Sequence, residues 1–205
     1  MTDWKTLADK ETINKTIESL KANNINAMLV ESGEEAKKKV LEMLPNGAEV
    51  MNMSSVTIDS IGLDKEIVES GKFNSVKKTL AAMDRKTQGR EMQKLGTAPD
   101  YAVGSVHAVT LDGKVLIASN TGSQLPAYVY GSTHVIWVVG VQKIVKDLDE
   151  GMKRIYDYIL PLESERLNKA YNLTTGSFVS KLLIVNREIF PGRITLIFVN
   201  EPLGF

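Results

Sequence analysis

Four short polar stretches hold the side chains of this sequence that are best suited to chemistry. The first is Ser54-Ser55-Val56-Thr57, which lies between a predicted strand and a predicted helix. Hydroxyls beside the free N–H groups and partial positive charge of a helix N-terminus favour binding of phosphate or carboxylate. A single hydroxyl there also serves as an ordinary helix N-cap, so ligand binding and capping both stay open.

The second stretch, Gly104-Ser105-Val106-His107, contains one of only two histidines. A histidine can carry a proton near neutral pH, which makes His107 the candidate catalytic residue. The alternative is a histidine that is hydrogen-bonded within the sheet and takes no part in chemistry.

The third and fourth stretches follow further predicted strands. The loop at 119–126 contains Thr121-Gly122-Ser123-Gln124, whose amides and hydroxyls suit an anion, although an idle loop between buried strands has the same composition. Gln142-Lys143 follows a strongly apolar run. Lys143 either balances the carboxylate of a ligand or extends along the surface to solvent.

In the predicted fold, each of these stretches lies next to the end of a strand. In open α/β sheets, ligands bind in the crevice at the carboxyl ends of the strands. We therefore expect the first three stretches to converge on one pocket for a small anionic metabolite. The candidate ligand-binding residues are Ser54, Ser55, Thr57, Ser105, His107, Thr121, Gly122, Ser123, Gln124, Gln142 and Lys143.

The elements that must position these residues follow from hydrophobic periodicity. In the first half, helices alternate with short apolar strands, which predicts parallel βαβ units. Helices are predicted at 3–23, 33–44, 58–69 and within 73–95, and strands at 25–30 and 48–53.

The second half is richer in predicted strands. Leu111-Asp112-Gly113 is typical of a hairpin turn, and the apolar run 135–139 predicts an interior strand. An amphipathic helix at 148–159 is expected to end or kink at Pro161. The other strands are predicted at 101–104, 106–110, 115–119, 178–185 and 194–199. We expect residues 1–205 to form one domain, a three-layer α/β/α sandwich with a mixed, mostly parallel sheet.

Composition excludes several classes of function. The 205 residues carry no net charge, so neither nucleic acid nor an anionic membrane is an expected partner. The absence of cysteine removes disulfides, iron–sulfur ligation and a thiol nucleophile. His107 and His134 lack the spacing of a metal site, so we expect no metal and no cofactor. Without an apolar leader at its N-terminus, the chain is expected to be cytoplasmic.

Motifs of common enzymes are missing. The sequence contains no G-x-G-x-x-G, no Walker motif, no G-x-S-x-G and no H-E-x-x-H. The residues alone therefore indicate an anion-binding rim on an α/β sheet, and they leave open whether any reaction is catalysed.

Taken together, the motifs resemble the LUD-domain family of bacterial lactate-utilisation operons. The similarity covers about residues 18–205 and depends on the order and spacing of several modest motifs. These are residues 54–63, Gly104 to Thr110, Thr121 to Gln124, 135–145, Arg154-Ile155, 161–166, 191–195 and 200–205.

The resemblance implies a fold like that of ribose-5-phosphate isomerase and CoA transferases. It also implies a role in oxidising lactate to pyruvate beside iron–sulfur partner proteins. Many family members have a cysteine-rich segment where residues 171–180 of this chain contain none, so the chain resembles a cysteine-free branch.

Three functions are compatible with these observations. The first is an accessory component of lactate or related hydroxy-acid metabolism that binds a small anion. The second is a stand-alone transferase or isomerase acting on a phosphorylated or CoA-linked metabolite. The third is a subunit whose segment around Tyr128 and Tyr130 forms a homo-oligomer or partner interface.

Overall fold

A computed structural model describes residues 3–172 and 174–205. Eight α-helices occur within these residues. They are α1 Lys10–Ala22, α2 Gly33–Met43, α3 Val56–Ser60, α4 Leu63–Glu69, α5 Val76–Ala82, α6 Arg85–Thr97, α7 Leu148–Lys153 and α8 Leu160–Tyr171. The ten strands are β1 Asn26–Val30, β2 Glu49–Asn52, β3 Asn74–Ser75, β4 Tyr101–Gly104, β5 Ala108–Thr110, β6 Val115–Ser119, β7 His134–Gly140, β8 Ile144–Val145, β9 Lys181–Val185 and β10 Ile194–Val199.

The main sheet has six strands in the order β1-β10-β7-β4-β2-β3, and every pair in it is parallel. Strand β7 pairs with β10 on one side and with β4 on the other, which confirms its predicted interior position. Its residues from Val135 to Gly140 are all buried, as a strand with both faces covered requires.

The predicted hairpin lies in a second sheet rather than in the main one. Strands β5 and β6 pair antiparallel around Gly113, within a four-stranded sheet of order β8-β5-β6-β9. Gly113 has a φ of +79°, and a Cβ there would collide with the backbone of α1 at Ser19. Helix α1 therefore packs closely on this turn, and only glycine fits there.

Helices cover both faces of the main sheet, which confirms the three-layer α/β class. Apolar residues of α2, α3 and α4 pack on one face, where Val40, Ile58 and Ile67 are completely buried. Helix α1 and the small sheet cover the other face. The outer face of the small sheet packs in turn against Ile155 and Ile159.

Two predicted helices differ in extent from those observed. The first begins at Lys10 rather than at residue 3, because the Asp9 side chain caps it by accepting a hydrogen bond from Thr12 N at 2.7 Å. The helix predicted at 58–69 divides into α3 and α4 at Gly62, which adopts a left-handed conformation with φ +66°.

Pro161 does not end the helix that contains it. Helices α7 and α8 are joined by a π-helical turn, Arg154–Ile159, and α8 continues to Tyr171. A proline offers no N–H and clashes with the preceding turn, but it is tolerated at the start of a helix, and Pro161 lies in the first turn of α8. Within the described residues, no helix has the length and apolar character needed to cross a membrane.

Candidate functional site

A cavity of about 420 Å³ lies where the adjacent strands β2, β4 and β7 reach their carboxyl ends. It is closed on the other side by the α7–α8 segment and by residues 177–179. Nine of the eleven predicted ligand-binding residues line it. These are Ser54, Ser55, Thr57, Ser105, His107, Thr121, Ser123, Gln124 and Lys143.

The two remaining predicted residues, Gly122 and Gln142, do not line the cavity. Gln142 is buried, and its Nε2 donates to the carbonyl of Leu203 at 2.9 Å. This hydrogen bond fixes the position of the segment that contains Leu203. Gly122 donates its N–H to Ser119 Oγ at 2.8 Å and has a φ of +85°. Both residues shape neighbouring segments instead of facing the cavity.

Lys143 is the buried cation of the cavity wall. Only 2 % of its surface is exposed, so the side chain does not extend to solvent. Its Nζ donates to Thr57 Oγ1 at 3.0 Å, to Ser105 Oγ at 3.2 Å and to the carbonyl of Val106 at 3.2 Å. All three acceptors are neutral. Burial, with a further contribution from the charge of Arg154, lowers the pKa of Lys143 to about 7.

Thr57 holds Lys143 from the start of α3. The threonine hydroxyl accepts from Lys143 and donates to the carbonyl of Leu203 at 3.3 Å. Its single proton is therefore used within the protein. Thr57 positions the lysine, whereas Ser105 still has a proton to give to a ligand.

Arg154 lies behind the same wall, at the beginning of the π turn. Its side chain is fully buried, and Nη1 donates to the carbonyl of His107 at 2.6 Å. Nε and Nη2 have no hydrogen-bond partner in the part of the chain that the structure describes, and the guanidinium lies 5.4 Å from the centre of the Tyr158 ring. Burial lowers the pKa of Arg154 to about 10, so the group stays charged at neutral pH. Among the described residues, neither Lys143 nor Arg154 forms a salt bridge.

His107 is a neutral hydrogen-bonding group in this setting. Part of the ring remains accessible from the cavity, but protein surrounds it, and Nδ1 accepts from Ala118 N at 3.2 Å. Burial, followed by the charges of Lys143 and Arg154, lowers the pKa of His107 to about 3. The neutral ring then has its proton on Nε2. This disfavours the predicted role as a proton carrier near neutral pH.

The hydroxyls of the cavity mouth divide into two groups. Ser55 occupies the N-cap position of α3 without a side-chain capping bond, which argues against the capping interpretation. In the loop after β6, by contrast, Thr121 Oγ1 donates to Ser123 Oγ at 3.1 Å, and Ser119 Oγ donates to Gln124 Oε1 at 2.8 Å. The loop is internally bonded, while Ser54 and Ser55 line the cavity and their hydroxyls form no hydrogen bond with the described residues.

Family comparison agrees with the motif-based resemblance. The LUD domain profile matches residues 13–199. The chain belongs to the LUD-domain family. No protein of curated function matches it significantly.

Solved structures similar to this LUD domain include a DUF162 family protein from Deinococcus radiodurans. The two are 11 % identical with a TM-score of 0.57, over 95 % of this chain and 99 % of the other. Because the identity is low, the likeness concerns the fold alone. A second structure, eIF2B beta from Chaetomium thermophilum, has a TM-score of 0.39 at 12 % identity, over 58 % of this chain and 44 % of that one.

Several residues in or behind the cavity wall of the LUD domain were not identified from sequence patterns. Arg154 is the most important, and a signal for it existed, since it lies three residues after Gly151 and one before Ile155 on the buried face of an amphipathic helix. Others form the far wall, where Glu163 accepts two 2.7 Å hydrogen bonds from Arg166. The partner of Arg154, the carbonyl of His107, comes from a distant segment that no local pattern reveals, whereas Glu163 and Arg166 have the i,i+3 spacing of a helical ion pair.

Proposed function

We propose that this LUD-domain protein binds a small anionic metabolite in the cavity, as an accessory component of lactate or related hydroxy-acid utilisation. One observation carries the proposal. Lys143 and Arg154 are both buried beside the cavity, and neither has a carboxylate partner among the described residues. Buried charges in proteins are normally paired, so this arrangement favours an anion supplied from outside.

Electrostatics explains how an anion would be held. Lys143 and Arg154 are close enough for the charge of Arg154 to lower the pKa of Lys143. An anion in the cavity attracts both cations, which raises the pKa of Lys143 again and restores its charge. Binding therefore takes up a proton above pH 7, and affinity is expected to fall as the pH rises from 7 to 9.

The wall composition suits a short hydroxy acid. Ser54, Ser55 and Ser105 provide hydroxyls, and Nε2 of the neutral His107 provides an N–H donor for a second oxygen. Ile155 and Phe178 add an apolar surface for a short carbon chain. The role in lactate utilisation, and iron–sulfur proteins as its partners, rest on family membership.

A ligand-dependent thermal shift tests the proposal, because an anion that binds only the folded protein raises its melting temperature. Lactate, pyruvate, a sugar phosphate and a CoA ester are compared with sodium chloride at equal ionic strength, at pH 6.5 and pH 8.5. We expect lactate or pyruvate to stabilise the protein beyond chloride, and more strongly at the lower pH.

Two variants complete the test. Lys143→Met should abolish the anion-specific shift, whereas Lys146→Met, which removes an exposed lysine three residues away, should retain it. The proposal is wrong if no anion exceeds chloride, or if Lys143→Met responds like the wild type.

A further inference from the structure

We infer that Lys143 forms a reversible Schiff base with the carbonyl carbon of a small 2-oxo acid bound in the cavity. This inference rests on the proposed function, because the carboxylate of the 2-oxo acid is the anion that the cavity holds. It adds a covalent step to binding and assigns Lys143 as the nucleophile.

The position of Lys143 is that of a nucleophile rather than a surface cation. The residue ends the turn Val141–Lys143 directly after the central strand β7, so its backbone is held by the sheet. Lys143 lines the cavity, and its Nζ donates to two hydroxyls and one carbonyl. Loss of one of these three protons gives the nitrogen the lone pair that attack requires. No carboxylate among the described residues forms a salt bridge that would hold it as an ammonium ion.

The surroundings of Lys143 also favour the uncharged amine, which is the reactive form. Desolvation and a neighbouring cation are the two environments that activate lysine in Schiff-base enzymes. Here the burial of Lys143 and the nearby guanidinium of Arg154 provide both, and the pKa falls to about 7. A substantial fraction of Lys143 is therefore neutral at physiological pH before an anion binds, and this fraction is the one that attacks.

The step balances without any further reactant. The lone pair of Nζ attacks the carbonyl carbon, a C–N bond forms, and the oxygen takes a proton to give a carbinolamine. The hydroxyl then takes a second proton from solvent and leaves as water, and a protonated imine remains. Ser105 Oγ, 3.2 Å from Nζ, is placed to move the proton from nitrogen to oxygen. The imine nitrogen keeps a positive charge beside the carboxylate of the ligand.

Trapping with a reducing agent tests the inference directly. The protein is incubated with pyruvate and sodium cyanoborohydride, which reduces an imine to a stable secondary amine. Intact mass and peptide mapping then show whether one pyruvate is attached and at which lysine. We expect a single adduct on Lys143, formed faster at pH 7.5 than at pH 6, where more of the amine is protonated.

Three variants separate the nucleophile from general lysine reactivity. Lys143→Arg keeps a positive charge but cannot form an imine, so the adduct should disappear. Lys146→Met should be modified at Lys143 like the wild type. Ser105→Ala keeps the lysine and removes the proton relay, and adduct formation should slow by about tenfold or more.

The outcomes distinguish this inference from the proposed function. If lactate and pyruvate both raise the melting temperature but no adduct forms on Lys143, the inference is overturned and anion binding stands. If neither anion stabilises the protein and no adduct forms, both proposals fail. An adduct spread over exposed lysines, or undiminished in Lys143→Arg, also overturns the inference. Circular dichroism of each variant checks that loss of the adduct is not loss of the fold.

Discussion

Two buried arginines lie at opposite edges of the main sheet, and their surroundings differ. Arg193 precedes β10 at the amino edge and is completely satisfied. It pairs with Glu188 at 2.7 Å, and its other nitrogens donate to the carbonyls of Ser132, Ala127 and Tyr128. Arg154, at the carboxyl edge beside Lys143, donates only to the carbonyl of His107 and leaves two nitrogens without partners.

The difference separates a cation that is used within the fold from one that, under the proposed function, is available to a ligand. Arg193 and Glu188 join the loop before β10 to the π-helical turn Ala127–Gly131, and all three guanidinium nitrogens of Arg193 have acceptors. At the other edge, the charges of Lys143 and Arg154 are buried without compensation. A protein tolerates such an arrangement when binding or chemistry gains from it.

The largest change in stability is expected from removing Glu188, the carboxylate that pairs with the buried Arg193. Glu188→Ala leaves Arg193 buried and unpaired, and the free energy of unfolding should fall by about 3–5 kcal/mol. The matched control is Glu163→Ala, which removes the carboxylate from the half-exposed Glu163–Arg166 ion pair. It should lower the free energy of unfolding by less than about 1 kcal/mol. Urea unfolding of both variants measures the difference. Equal losses would show that the Arg193 cluster is not a structural anchor.

At the cavity, a substitution is expected to increase the free energy of unfolding rather than decrease it. Lys143→Met replaces an uncompensated buried charge with an apolar side chain, so the free energy of unfolding should rise by ~1–4 kcal/mol at pH 6. From pH 7 to about 10.5, the unfolded wild type binds a proton that the folded protein does not. Wild-type stability therefore rises with pH in that window, and the advantage of the variant shrinks. Urea unfolding at pH 6, 7.5 and 9 checks both claims, and a variant less stable than wild type at pH 6 contradicts them.

His107 should make the free energy of unfolding depend on pH in the acid range. Its pKa is about 3 in the folded protein and 6.5 when unperturbed, so between these values only the unfolded chain is protonated. This contribution to stability is complete above pH 6.5 and is lost as the pH falls toward 3. His107→Gln removes it, so the stability difference between wild type and variant should change by up to about 1.4 kcal/mol per pH unit. A difference that is constant from pH 6.5 to 4 would mean that His107 titrates normally.

The smallest effect compares two serines at helix starts. Ser32 Oγ caps α2 by accepting from Glu35 N at 3.2 Å, whereas Ser55 makes no side-chain cap for α3. Ser32→Ala should cost about 1 kcal/mol, and Ser55→Ala less than about 0.5 kcal/mol. Ser55→Ala should instead reduce the anion-dependent thermal shift. If Ser55→Ala cost as much stability as Ser32→Ala, or if both variants kept the full anion-dependent shift, Ser55 would not differ from an ordinary N-cap.

Much of the site was predictable because it lies next to strands. Polar stretches after β2, β4 and β7 were recognisable against their apolar neighbours, and the carboxyl ends of parallel strands meet at one edge. Gln142 was indistinguishable from Lys143 by this reasoning, although its amide binds the chain terminus at Leu203. Arg154 was not identified, because helix periodicity predicts a buried face but does not show what an arginine on that face contacts.

The sequence by itself determined the fold class, the family, most strand positions and the polar character of the strand ends, since these depend on periodicity and local motifs. Tertiary structure alone decided the strand order and the chemistry of the site. The burial of Lys143 depends on Thr57, which is 86 residues away, and Thr57 is held in turn by Leu203, 146 residues further along the chain. Desolvation by these distant segments lowers the pKa of Lys143, and no pattern of neighbouring residues predicts that shift.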